Sequence, residues 1–417
     1  MDRIVVRGGE RLTGEVAISG SKNSSLALMA AALLAEGETR LSNVPRLRDV
    51  HAMLELLRAL GARAEWVGAH SLVIDGAPVS NPEAPYDLVR KMRASFMVLG
   101  PLLARFGTAR VSEPGGCAIG VRPIDQHLKG LRALGAKVRL DHGCVEATTA
   151  GLSGSRVSFD LNTVNGTQNV MMAAALAPGE SVLENAAREP EVLELATVLN
   201  RMGAGVRGAG GDRIVITGVE SLRGVEHEVS GDRIEAGTLL CAALVTGGDI
   251  EITGIDTASL ESTLDKLAET GAEIEAQPHR VRARAPGRLR GVQVVTAPFP
   301  GYPTDMQAQL MALVATAEGS SVITERVFEN RFMHVPELLR MGADISLSGR
   351  AAHVRGVPRL AGAQVMATDL RASAGLIVAA LASEGDTVVH RVYHIDRGYE
   401  RIEDKLRGLG AAIHREG

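Results

Sequence analysis

The sequence predicts an α/β protein of two domains in which sheets cover buried helices. Three observations carry that prediction. First, apolar runs end in glycine turns at Gly37, Gly107, Gly179, Gly248, Gly319 and Gly385, and a second set of helical runs closes at Gly61, Gly135, Gly203, Gly271, Gly342 and Gly410, each followed by alanine. Both sets return every 66 to 74 residues. Six repeats of about 70 residues are therefore legible, a longer period than the roughly 20 to 50 residues of common solenoids. Second, the run before each glycine of the first set is apolar almost all round, which suits a helix in an interior. Third, 417 residues are long for one domain, and two of about 200 residues each are expected.

Each repeat follows one grammar. The interior helix covers residues 26–35, then 96–104, 170–177, 239–245, 310–317 and 376–382 in later copies. A β-rich run follows, as in Thr39-Arg40-Leu41, Ser181-Val182-Leu183 or Thr387-Val388-Val389. Next comes an amphipathic helix with one apolar stripe: Val50, Met53, Leu54, Leu57 and Leu60, or Val192, Leu195, Leu199 and Met202. Two β-rich segments close the repeat, as at 62–67 and 71–74. Helices and strands in that order imply sheets packed over the apolar helices. Residues 1–20 carry strand pattern without a leading helix, while the sixth copy stops after its Ile413 strand. The first residues are thus expected to complete the last repeat. That gives a continuous domain, 21–229, and a discontinuous one, 1–20 plus 230–417, with three repeats in each.

Composition narrows the function. Aromatic residues are only 3% of the chain, so Ala, Leu, Val, Ile and Met must fill the cores. A net charge of −4 with both signs interspersed leaves no basic footprint for nucleic acid and no polybasic signal for a membrane. The longest apolar run, 26–35, is too short to span a bilayer. Three cysteines, Cys117, Cys144 and Cys241, argue against a disulfide framework and for a reducing compartment. No second cysteine stands at zinc spacing, and His127, His334 and His394 are scattered. The expectation is a cytoplasmic protein with no metal and no nucleic-acid or membrane partner. Cys144 and Cys241 fall in strand and helix patterns and read as inert core thiols.

Residues 114–123 interrupt the grammar. Pro114 and Pro123 fence a segment holding Gly115, Gly116, Gly120, Cys117 and Arg122. Glycine opens backbone angles closed to other residues and proline fixes the ends, so the segment reads as a hinged flap. Ile124, Leu128, Leu131 and Leu134 then recur at helical spacing. Pro123 suits the first turn of that helix, placing Arg122 at its amino end, where N–H groups favour an anion. A thiol and a guanidinium so close in sequence suggest chemistry beside a phosphate or carboxylate. The alternative is a surface loop with a stray cysteine.

The six copies also control for one another. Positions apolar in every copy are scaffold, whereas the amino ends of the interior helices are polar and differ: Lys22 and Asn23; Arg93; Thr163 and Thr167; Asp232 and Arg233; Thr304 and Asp305; Asp369 and Arg371. Ordinary capping accounts for Thr304 and Asp369. It does not account for Lys22, Arg93, Arg233 or Arg371, cations where the helix dipole disfavours them unless an anion is near. Asp305, at a proline-led helix start, has the chemistry of a general base in a dry cleft.

Taken together, Ser21-Lys22-Asn23, Lys91 to Ser95 around Arg93, Pro114 to Cys117 with Arg122-Pro123, Pro303 to Gln307, Phe328 to Phe332 and His394 to Glu400 resemble the enolpyruvyl transferases, specifically the UDP-N-acetylglucosamine 1-carboxyvinyltransferases. The resemblance spans the chain. It implies a two-domain inside-out α/β barrel of six repeats, and transfer of the enolpyruvyl group of phosphoenolpyruvate to the 3′-hydroxyl of UDP-N-acetylglucosamine. It makes Asp305 the base, Cys117 the acid, and Lys22, Asn23, Arg122 and Arg397 the phosphoenolpyruvate site. Arg93, Arg122, Pro123, Ile124, Asp125, Gln126, Thr163, Val164, Asn165, Asp305 and Val327 are then expected to line the sugar-nucleotide site. No cofactor is implied beyond a possible covalent phosphoenolpyruvate adduct on Cys117. One departure is Asn165, where such proteins often carry glycine; asparagine tolerates left-handed angles. The rivals are 5-enolpyruvylshikimate-3-phosphate synthase, with the same fold and donor, and a non-catalytic UDP-sugar sensor.

Overall fold

The computed structural model describes residues 2–113 and 123–417, so Cys117 and Arg122 lie outside the described residues. Backbone contacts divide the described chain into two compact units: residues 20–113 with 123–230, and residues 2–19 with 231–417.

Within the first unit the repeat order is plain. Its first copy runs through helix Lys22–Ala31, strand Glu38–Ser42, helix Arg48–Ala59 and the hairpin Arg63–Trp66 with Leu72–Asp75. A short strand after each hairpin has no counterpart in the sequence reading. Glu83–Ala84 runs parallel to Thr108–Ser112 of the next copy, and Arg156–Ser158 runs parallel to Glu180–Glu184 of the third. Glu226–Glu228 returns to Glu38–Ser42 of the first copy, with His227 opposite Leu41. Each of these four-stranded sheets thus takes its edge strand from another copy, and the ring of three repeats closes on itself.

The second unit closes in the same way with the chain's first residues. Arg3–Arg7 lies antiparallel between Asp386–His390 and Ala412–Glu416, where it is the last strand of the sixth repeat. Thr13–Ala17 then runs parallel to Asp249–Thr253 of the fourth copy. Among the described residues the strands form separate sheets and no continuous closed barrel.

Burial follows the two periods. In Glu38–Ser42 only Thr39 and Leu41 are buried, so one face of the strand is buried and the other is exposed. The interior helices have no exposed face: Ile234 through Leu244, every residue of Gln307–Val314, and Arg371 through Leu381 are buried. Backbones approach closely where they touch. A Cβ on Gly375 would stand 2.8 Å from the Ala308 carbonyl oxygen, and one on Gly100 2.3 Å from that of Asn169. The helices begin earlier than their apolar runs, at Lys22, Val164, Arg233 and Leu370, because their first turns are polar. Helix Leu99–Phe106 stops on Gly107, where φ is 67°, but in the first and sixth copies the helix ends earlier and a two-residue strand, Ala35–Glu36 or Ser383–Glu384, precedes Gly37 (106°) or Gly385 (86°); in the fourth copy the left-handed residue is Gly247 instead of Gly248.

Cys241 is fully buried in its helix, and that burial pushes its thiol up to about 12. Cys144 is not a core thiol: it is half-buried on its strand, with Sγ 3.5 Å from Ser112 Oγ.

Candidate active site

In the first unit, Lys22 and Asn23 open helix Lys22–Ala31, and Ser21 caps it by accepting from the Ser24 amide at 3.2 Å. Lys22 Nζ stands 3.5 Å from Asp49 Oδ2, in the first turn of Arg48–Ala59; their side chains are 13% and 5% exposed. The cation at this helix start therefore has a protein carboxylate within reach. Arg93, half-buried, begins the 3₁₀ turn Arg93–Val98 that leads into helix Leu99–Phe106. Pro123 is exposed, and the helix after it begins at Asp125 with Ile124 as its cap. Pro123 thus lies before the helix and outside its first turn, contrary to the sequence expectation.

Gln126 is buried and well held. Its Nε2 donates to Asp125 Oδ2 at 2.8 Å and Asp160 Oδ2 at 3.2 Å, and its Oε1 accepts from the Asp160 amide at 2.8 Å. Thr163 caps helix Val164–Ala174, accepting from the Gly166 amide at 3.2 Å. Val164 and Asn165 fall in its first turn, and Asn165 has no positive φ. The position has no left-handed backbone, so asparagine's tolerance of such angles is not called on there. Thr167 is buried and accepts from the Ala187 amide at 3.1 Å. One side chain ties these elements together. Asn169 accepts from the Gly100 amide at 2.7 Å, donates to the Phe96 carbonyl at 3.3 Å and meets His127 Nδ1 at 3.0 Å. The structure therefore gathers the segments bearing Arg93, Gln126 and Thr163.

The second unit gathers a denser set. Asp305 lies in the 3₁₀ turn Thr304–Met306 ahead of helix Gln307–Val314. Its Oδ1 accepts from Arg331 Nη2 at 2.7 Å, and its Oδ2 accepts from Arg371 Nε at 3.2 Å and Nη2 at 3.1 Å. Both arginine side chains are nearly enclosed, at 6% and 4% exposure, while Asp305 is 28% exposed. Burial works against the charge on Arg371; Tyr399, Asp305 and Asp232 outweigh it and keep the guanidinium protonated. Asp232, which caps helix Arg233–Val245, and Asp369, which caps Leu370–Leu381, each accept two backbone amides. The amino ends of all three interior helices of this unit thus adjoin.

Thr304, expected as a cap, has another task. It donates to Glu325 Oε2 at 2.8 Å and accepts from Arg331 Nη1 at 2.9 Å. Glu325 is 1% exposed. Its Oε1 accepts from Thr296 Oγ1 at 2.8 Å, the Val327 amide at 2.8 Å and the Phe328 amide at 3.1 Å. Four donors satisfy this buried carboxylate, and two of them, the Val327 and Phe328 amides, curl the chain so that half-buried Val327 lies in the loop leading to Arg331. Arg397 ends the 3₁₀ turn Val392–Arg397 and is half-buried; burial and the Arg397 charge hold His394 below the usual imidazole range. Sequence reasoning placed Asp305 but missed the grip of Arg331 and Arg371 on it, as well as Glu325 and Asp49. Cys117 and Arg122 lie outside the described residues.

Among the described residues no three His, Cys, Asp or Glu side chains are grouped as metal ligands, and no helix is long and apolar enough to cross a membrane.

The sequence profile of the EPSP synthase (3-phosphoshikimate 1-carboxyvinyltransferase) family matches residues 6–406, so the six repeats are those of a carboxyvinyltransferase family. Among solved structures, the enolpyruvyl transferase NikO from Streptomyces tendae is similar with a TM-score of 0.90 and 31% identity, over 99% of this chain and 98% of that one. EPSP synthase from Acinetobacter baumannii shares the fold, with a TM-score of 0.77 at 19% identity over 100% of both chains. The UDP-N-acetylglucosamine 1-carboxyvinyltransferase of Trichlorobacter lovleyi is 58% identical over 100% of this chain and 99% of its own. That of Myxococcus xanthus is 57% identical over the full length of both. The chain belongs to this family of UDP-N-acetylglucosamine 1-carboxyvinyltransferases and is an enzyme of the transferase class.

Proposed function

We propose that the chain transfers the enolpyruvyl group of phosphoenolpyruvate to the 3′-hydroxyl of UDP-N-acetylglucosamine and releases phosphate, the first committed step of peptidoglycan synthesis. The observation that carries this is identity of 56–58% across the whole chain with three transferases of that name.

Asp305 accepts the hydroxyl proton as the sugar oxygen bonds to C2 of phosphoenolpyruvate, and Cys117 gives a proton to C3. Loss of a C3 proton and departure of phosphate from C2 then restore the double bond. Lys22, Arg122 and Arg397 hold the phosphate and carboxylate of the donor, and Asn23 positions the tetrahedral intermediate. Arg93, Pro123 to Gln126, Thr163 to Asn165, Asp305 and Val327 line the sugar-nucleotide site. A donor with nearly three negative charges calls for several fixed cations, and stabilising such charge is usually a large catalytic contribution. Two guanidiniums bond both oxygens of Asp305, and hydrogen bonds to a carboxylate weaken it as a base. An arriving anion that draws on Arg331 or Arg371 strengthens it. Addition and elimination run on proton transfers alone, so the proposal calls on no metal or redox cofactor. Phosphoenolpyruvate can also bond covalently to Cys117. The reaction belongs in the cytoplasm, where both substrates are found.

Mass spectrometry of the acceptor tests the reaction. UDP-N-acetylglucosamine should gain one enolpyruvyl group per phosphate released. Turnover with shikimate 3-phosphate alone makes the chain the sister synthase, and ligand binding without turnover with either acceptor makes it a sensor. Thiol labelling tests Cys117. With Cys241 buried and its thiol raised to about 12, it is almost wholly protonated at pH 8 and should stay unlabelled until the chain unfolds. Cys117 should react first, faster with UDP-N-acetylglucosamine present, as with the epoxide fosfomycin. Equal labelling of all three cysteines removes Cys117 from the acid role.

A further inference from the structure

Tyr399 closes the polar turn that carries Arg397, and its ring is 2% exposed. Its hydroxyl stands 2.9 Å from Thr238 Oγ1 on helix Arg233–Val245 and 3.2 Å from Gln309 Nε2 on helix Gln307–Val314. Arg371, on the third interior helix, lies with its guanidinium carbon 5.5 Å from the Tyr399 ring centroid. One phenol thus meets all three interior helices of its unit.

The proton inventory fixes the direction of these bonds. Thr238 spends its only hydroxyl proton on the Ile234 carbonyl, at 2.7 Å. Gln309 Nε2 can only donate, and it also reaches Thr238 Oγ1 at 3.0 Å. The phenol must therefore donate to Thr238 and accept from Gln309. A second lone pair remains on its oxygen. Among the described residues Arg371 Nη1 is buried and meets no acceptor at hydrogen-bond geometry, although Nε and Nη2 of the same group are taken by Asp305. Tyr399 is the neutral group beside that guanidinium, its ring centroid 5.5 Å from the guanidinium carbon, and its side chain favours the Arg371 charge.

We propose that Tyr399 is a positioning residue: its oriented hydroxyl fixes the Arg371 guanidinium, and through it the Asp305 carboxylate. The inference rests on the reading of Asp305 as the base. Phenylalanine would fill the same space but leave Gln309 and Arg371 facing a hydrogen, so that Arg371 could swing and Asp305 with it.

The test is Tyr399→Phe in the full-length chain, with Asp305→Ala measured beside it. Turnover of Tyr399→Phe should fall about tenfold, the effect of one lost hydrogen bond beside a charge, with UDP-N-acetylglucosamine affinity by calorimetry unchanged. In an Arg371→Lys background the same substitution should cost less than about twofold, because the path through Arg371 is already broken. Turnover of Tyr399→Phe within about twofold of the parent overturns the proposal, as does an equal tenfold loss in the Arg371→Lys background. Full activity in Asp305→Ala removes the reading of Asp305, whereas an inactive Asp305→Ala beside a normal Tyr399→Phe removes this inference alone. If Tyr399→Phe does not fold, Thr238→Val removes the phenol's acceptor, together with the bonds of Thr238 to Ile234 and Gln309, and carries the same expectations.

Discussion

Asp305 and Lys22 hold matching places, each in the first turn leading into an interior helix, yet they are held differently. Asp305 takes three hydrogen bonds of 2.7 to 3.2 Å from two enclosed arginines, and the loop behind it is pinned by Glu325. Lys22 Nζ stands farther from its carboxylate neighbour, 3.5 Å from Asp49 Oδ2. Charge-assisted bonds from a planar guanidinium fork fix a carboxylate in place, whereas a lysine is a point charge on a flexible stem. The difference suggests a division of labour. On the roles proposed above, the acceptor's base is gripped before substrate arrives, and the donor's cation stands on a flexible stem that an entering anion can draw on.

The largest expected effect comes from removing the fixed group. Asp305→Ala should lower turnover by about a thousandfold with sugar-nucleotide binding mostly retained; steady-state kinetics and calorimetry read the two separately, and unchanged turnover removes Asp305 from the mechanism. Next is Lys22→Ala. It should reduce kcat/KM for phosphoenolpyruvate by about a hundredfold and leave the affinity for UDP-N-acetylglucosamine near that of the parent. An equal loss of both affinities would mean that Lys22 is structural. Gly375→Ala tests the helix packing behind Asp305: with a backbone oxygen 2.8 Å from the new methyl, it should cost about 1–3 kcal/mol in urea denaturation.

The smallest effect is a pH dependence. Burial lowers His334 to about 4 from its ordinary 6.5, so between those values the unfolded chain binds the proton and the native chain does not. Stability should therefore be complete above about 6.5 and fall as pH drops toward 4, by less than about 1.4 kcal/mol per pH unit. Urea midpoints at pH 7 and pH 5 should converge in His334→Gln; a slope untouched by that substitution assigns it to other groups.

Much of the scaffold was open to a reader of the chain, because glycine stops and all-apolar helices repeat six times over. The linking strands were not: Glu83–Ala84 and Glu226–Glu228 are too short to show a period, and their partners lie in other copies. The helix starts were legible as polar positions. Their partners were hidden, since Arg331 and Arg371 reach Asp305 across 26 and 66 residues of sequence. Thr304 misled because a threonine at a helix start looks like a cap until Glu325 is seen beside it. At Asn165 the tolerance of left-handed angles proved beside the point, since the first turn of Val164–Ala174 does not call on it.

The contrast between the two helix starts can be tested directly by amide hydrogen exchange of the full-length chain, with and without phosphoenolpyruvate and UDP-N-acetylglucosamine. Slow exchange at 304–309 and 325–332 before ligand, with new protection concentrated at 20–25 and 48–50 afterwards, is the predicted result. Fast exchange around Asp305 that slows only on ligand addition, with the Lys22 segment unchanged, would contradict it.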